Sequence, residues 1–141
     1  MSKRLVLQLV LWSICLYHIV LGVCAFLSED VAVRLADILF SIRIEPTPQL
    51  NYIVKLLGIY AVVFGVMTAT AAVAPERHAT LLNLVVLLYA LRVLNKLVFS
   101  ELFAQAFSAP PARTWVDVAM LLAFGLSVAL LKPRTATAGA K

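Results

Sequence analysis

Charge is scarce in this sequence: only 13% of its 141 residues are charged, and Asp and Glu together number seven. So few charges cannot solvate the surface of a water-soluble domain of this length. Cysteine is equally sparse, with Cys15 and Cys24 nine residues apart in one apolar run. On a helix they stand about 13 Å apart along the axis and cannot bridge each other. There is no Cys-x-x-Cys, which argues against a four-helix thiol oxidoreductase. Histidine occurs twice. His18 lies within an apolar run and His78 in the turn "PERHA", so the two do not converge on one haem iron. Cys15 and His18 share a helix face but are too few ligands for a metal, and no metal site is expected. The five glycines form no phosphate-binding loop, and no carboxylate pair falls inside an apolar run.

What is present is apolar. Hydrophobic residues make up 63% of the chain, and mean hydropathy is +0.99. Four long apolar tracts occupy about residues 5–27, 50–74, 79–103 and 115–131, each near the ~20 residues that a helix needs to cross a ~30 Å hydrocarbon core. The expected fold class is therefore an all-α integral membrane protein, a bundle of four transmembrane helices forming one membrane domain over residues 1–141. The first tract, with MSKR before it, is too long for a signal h-region and is read as a retained span. Residues 132–141 read as a flexible cytoplasmic tail.

Between the first two spans, "SEDVAVRLADILFSIRIEPTP" is too polar to cross. Ser28 suits an N-cap, Glu29 and Asp30 suit the positive end of a helix dipole, and Val31, Leu35, Ile38, Leu39 and Ile42 recur at helical spacing. This predicts a short amphipathic surface helix at about 29–43, ended by Pro46 and Pro48, with Arg34, Asp37 and Arg43 off the apolar stripe. An irregular loop over the bundle is the alternative.

An even number of spans places both termini on one side. Lys3, Arg4, Arg77, Lys132, Arg134 and Lys141 then share that side, against Arg34, Arg43 and Arg113 on the other. Basic residues in short loops stay cytoplasmic, so both termini are expected inside, with a bacterial inner membrane as the expected setting. The net charge of +5 reads as this bias and as a fit to anionic lipids. Nucleic acid is not an expected partner.

The stretch "YALRVLNKLVFSEL", residues 89 to 102, interrupts the third span with Arg92, Asn95 and Lys96, and with Glu101 just after. Counting ~1.5 Å per residue, Arg92 lies about 20 Å and Lys96 about 26 Å across from the inner face, and His18 about 21 Å. Lys55 lies about 8 Å below the outer surface. Arg92, Asn95, Lys96 and Phe99 share a helix face. An arginine near mid-bilayer costs roughly 2.5 to 3.5 kcal/mol, so Arg92 is expected to face the bundle. His18, Lys55, Arg92, Asn95 and Lys96 are the candidate ligand-binding set, while Lys55 and Lys96 have the alternative of snorkelling to the surface. Arg92, Glu101 and Asp117 are candidates for a structural ion pair. Asp117 also fits a helix cap, because Thr114-Trp115-Val116-Asp117 follows Pro110 and Pro111.

Small residues supply helix-packing candidates. Gly58, Ala61, Gly65 and Ala69 lie on the second span, and Ala119, Ala123 and Ser127 repeat every four residues on the fourth. Either series serves internal packing or a contact with another chain.

One span, a surface helix with prolines, then "KLLGIYAVVFGV", the "APERHA" turn, "ALRVLNKLV" and a final span resembles the small DoxX/BphX-like four-helix membrane proteins. The resemblance covers most of the chain and is carried by spaced glycines and an intramembrane arginine. Separately, "LVFSELFAQAFSAPP" is similar to a stretch of the ergosterol-biosynthesis scaffold family, over the junction of the third and fourth spans. That resemblance implies a non-catalytic tether that holds enzymes together in a membrane. Neither family supplies catalytic residues at positions of this sequence.

Two functions are consistent with these features. The first is a non-catalytic accessory or scaffold subunit, partnered by other membrane proteins or by itself. The second is a binding protein, carrier or enzyme subunit that holds an anionic lipid or a quinone in the basic outer-half pocket. No cofactor is expected beyond such a bound lipid or quinone, and membrane lipids are the expected surroundings.

Overall fold

A computed structural model describes residues 2–40, 47–108 and 110–133. The elements in order are α1 (Lys3–Leu27), α2 (Glu29–Phe40), α3 (Pro48–Val73), α4 (Ala79–Val98), α5 (Ser100–Phe107) and α6 (Pro111–Leu131). Four are long and apolar enough to cross a membrane: Lys3–Leu27, Pro48–Val73, Ala79–Val98 and Ala112–Leu131. Local chemistry sets several of the ends. Ser2 Oγ accepts from Leu5 N at 3.3 Å, Ser28 Oγ from Val31 N at 3.4 Å, and Thr47 Oγ1 from Leu50 N at 3.2 Å. Pro48 and Pro111 stand in the first turns of α3 and α6, where the missing N–H goes unused.

The bundle is tightest where α1 and α3 touch. A Cβ on Gly22 would stand 2.6 Å from the Gly58 carbonyl oxygen, and one on Gly58 would stand 2.7 Å from that of Gly22. Gly65 repeats the contact toward Ile19 and Cys15. Only residues without a side chain allow backbones this close, and the resulting dispersion contacts substitute for a hydrophobic force that is absent between helices in lipid. Gln8 Nε2 donates to the Ala72 carbonyl at 3.0 Å and ties the same pair together nearer the terminal end.

α6 packs against both α1 and α4, so the helices run α3, α1, α6, α4 around the bundle, with the α3–α4 side least closed. The shared core holds Leu7, Leu11, Ile14, Leu82, Val85, Tyr89, Leu121 and Val128. Leu16, Leu57 and Leu130 and other large apolar side chains point outward, the arrangement that a lipid solvent favours. Lys3 and Arg4 of α1 and Lys132 after α6 line one cavity, so both ends of the described chain lie at the same end of the bundle.

Two boundaries differ from expectation. The third span stops at Val98 instead of 103, where Phe99 leaves helical geometry at φ −108° and ψ 25° and Ser100 Oγ donates to the Leu97 carbonyl at 3.3 Å. The chain resumes as α5 and ends in left-handed Ser108. The fourth helix begins at Pro111 instead of 115. The surface helix covers 29–40, with Glu29 accepting from Asn51 Nδ2 of α3 and with Val31 and Ile38 exposed. Ile42, Arg43 and Pro46 lie outside the described residues, as does the expected tail over 134–141.

Candidate functional site

Helical spacing places Tyr89, Arg92 and Lys96 on one face of α4, at intervals of three and four residues. That face turns toward α1 and α6. His18 of α1 is buried, and its Nδ1 lies 2.8 Å from the Ile14 carbonyl. A carbonyl only accepts, so Nδ1 carries the proton in that bond and Nε2 presents a lone pair. Arg92 Nη1 donates to this Nε2 at 3.4 Å. The Tyr17 and Phe64 rings stand edge-on to the imidazole at 5.1 and 4.7 Å between centroids. Arg92 Cζ also lies 5.9 Å from the centroid of the Tyr89 ring.

One turn farther along α4, Lys96 Nζ lies 3.1 Å from Asp117 Oδ2, and Arg113 Nε of α6 lies 3.3 Å from Asp117 Oδ1. The Asp117 side chain is only 5% exposed, so one buried carboxylate serves two cations that are themselves 23% and 25% exposed. Lys96 Nζ also stands 3.3 Å from the centroid of Phe103 on α5. The ammonium is thus held between a carboxylate and an aromatic face instead of reaching for the membrane surface.

Two cavities converge on Arg92. The larger, about 620 Å³, lies between α4, α5 and α6, with Arg92, Asn95 and Lys96 at its polar edge and Phe99, Phe103 and Phe107 among its apolar walls. The smaller, about 160 Å³, is bounded by Tyr17, Tyr89, Phe124 and Arg92. Leu121 borders both. The larger volume falls within the ~300 to 1,000 Å³ usual for small-molecule sites. Two cations and a carboxamide can hold an oxyanion or a carbonyl oxygen there, and the phenylalanines can cover a ring or an acyl chain. No carboxylate, thiol or imidazole lines either cavity among the described residues.

Of the five candidate ligand-binding residues, Arg92, Asn95 and Lys96 meet at the larger cavity, and His18 reaches it through Arg92. Lys55 is exposed on α3 and lines neither cavity. The ion pair differs from expectation. Asp117 takes Lys96 and Arg113, Glu101 is exposed, and no carboxylate among the described residues is within ion-pairing distance of Arg92. Lys96 sits a turn nearer the C-terminal end of α4, about 6 Å farther along its axis, and that rise decides which cation reaches Asp117. Asp117 is not a helix cap, because α6 begins at Pro111 and places it inside the second turn. Gly58 and Gly65 face α1 with Ala61 and Ala69 partly covered, Ser127 is half-buried, and Ala119 and Ala123 face outward from α6. Tyr17, Tyr89, Phe103 and Phe107 were not singled out from the sequence. Extending the Arg92 stripe back one turn reaches Tyr89, whereas the other three have no local signal.

An all-helical fold with four apolar spans and a basic, aromatic-walled cavity defines the chain as a multi-pass membrane protein. Compared with known protein families, curated proteins and solved structures, it matches none.

Proposed function

We propose that this protein binds an amphiphile with an anionic or carbonyl-bearing head group, an anionic lipid or a quinone, at the Arg92 cavity. One observation carries the reading. Arg92 is a half-buried cation in a membrane span whose hydrogen-bond partner is a neutral imidazole, and it opens onto about 620 Å³ of space. Burying a guanidinium without a counter-charge is costly, and a bound oxyanion removes that cost. The Phe99, Phe103 and Phe107 walls suit the apolar part of the same molecule. Chemistry on the ligand is not part of the proposal.

The experiment is purification in a mild detergent followed by mass spectrometry of the intact complex and of its organic extract. Wild type should carry a specific lipid or quinone, and Arg92→Leu should lose it by about tenfold or more while retaining its helicity. Equal retention by the two proteins would refute the site.

A second reading, a scaffold or accessory subunit, is favoured by Ala119 and Ala123, which leave a small-residue strip exposed on α6 where another transmembrane helix can approach. The likeness of the junction before α6 to the ergosterol-biosynthesis scaffold family points the same way. Replacing both alanines with leucine should then remove copurifying proteins without altering ligand retention. For orientation, the basic-residue bias supports cytoplasmic termini.

A further inference from the structure

At the end of the bundle that carries residues 3 and 132, another cavity of about 990 Å³ opens between the ends of α1, α4 and α6. Its α4 residues, Ala79, Leu82 and Asn83, lie about 14 to 20 Å along α4 from Arg92, and it shares no lining residue with the site there. Its lining is divided in character. Lys3, Arg4, Asn83 and Lys132 supply polar groups, while Leu7 and Leu131 supply apolar wall.

The cations are incompletely neutralised. Lys132 Nζ donates to Asn83 Oδ1 at 2.7 Å, which satisfies one donor but brings no negative charge. Arg4 Nε lies 3.4 Å from Glu76 Oε1, in a pair at least half exposed on both sides. Lys3 has no hydrogen bond or ion pair among the described residues. Three cations thus face one carboxylate around the cavity. α4 also begins here with no side-chain cap at His78, and Ala79 of its first turn lines the cavity, which adds the positive end of a helix dipole.

We infer that this cavity binds a phosphate oxyanion, and that the phosphodiester of an anionic glycerophospholipid is the form that fits it. The charge pattern selects an oxyanion with several acceptor oxygens, because ammonium and guanidinium donors converge from two helix ends. The lipid form follows from position. The cavity lies at the terminal end of three spans, and Leu130 beside it is 78% exposed on the outer surface of α6, where acyl chains run. Basic pockets between transmembrane helices are suited to anionic head groups.

The test uses the full chain in detergent with three probes: phosphatidylglycerol, phosphatidylcholine and inorganic phosphate. Intact-complex mass spectrometry should show phosphatidylglycerol retained well above phosphatidylcholine and not displaced by millimolar phosphate. In an Arg92→Leu background, which removes any lipid held at the other cavity, Lys3→Gln/Lys132→Gln should lower its occupancy about tenfold or more and Lys3→Arg/Lys132→Arg should restore it. Phosphate bound with the same lysine dependence, and no lipid, would keep the oxyanion site and assign it to a soluble source. For wild type alone, phosphatidylglycerol binding should weaken as salt is raised. Salt-insensitive retention, or equal retention by the Arg92→Leu protein and its helical glutamine variant, would overturn the inference.

Discussion

Asp117 is the residue on which the electrostatics at this end of the bundle turn, because a single buried carboxylate holds Lys96 from α4 and Arg113 from its own helix. Removing that charge leaves two cations in a partly buried setting. Asp117→Asn should therefore destabilise the bundle by about 3 kcal/mol or more, read as a lower melting temperature in detergent. Lys96→Met leaves Arg113 on the carboxylate and should cost less. If the asparagine variant melts with wild type, the triad is solvated and of little consequence. Phe103→Ala tests the other side of Lys96. It removes a ring 3.3 Å from the ammonium, should cost about 0.5 to 2 kcal/mol, and should widen the cavity enough to weaken ligand retention. The sequence marked Arg92 as a costly group in an apolar setting and offered Glu101 or Asp117 as its counter-charge. It gave no means of choosing the observed pairs, Lys96 with Asp117 and Arg92 with His18, because partners 21 and 74 residues apart are chosen by helix packing.

Among the elements, α1 and α3 depend on each other through Gly22 and Gly58. Any side chain at either position meets a carbonyl oxygen at under 3 Å, so Gly58→Leu should separate the two helices and give an aggregated, early-eluting protein on size-exclusion chromatography. Ala123→Leu, outward on α6, should change stability by no more than about 0.5 kcal/mol. A tolerated Gly58→Leu would mean that the helices do not cross there. Gly58 and Gly65 were legible as small residues at fixed spacing, whereas Gly22, the partner of Gly58, stands alone in its span. The break at Phe99 was less legible still. Composition carries the apolar run straight through to 103, and the division into α4 and α5 comes where Phe99 leaves helical geometry, with no sequence signal that marks it. That break matters, since it swings Phe103 and Phe107 into the wall of the cavity.

For the whole molecule, orientation is open to a direct test. With Cys15 and Cys24 replaced by serine, Ser2→Cys should react with an impermeant thiol reagent only after the cells are opened, and Thr47→Cys should react in intact cells. Equal access at both positions would contradict the proposed topology. Span number and fold class follow from the sequence alone, because bilayer thickness fixes the length of a crossing helix and the apolar tracts meet it four times. Tertiary structure alone decided the rest: that Arg92 bonds to His18 while Lys96 takes Asp117, that Lys55 stays outside, and that cavities open at both ends of α4. Membrane insertion is a property of each segment summed over its own residues. A site is a property of helix rotation and of a few ångströms of rise between helices, and no single segment encodes either.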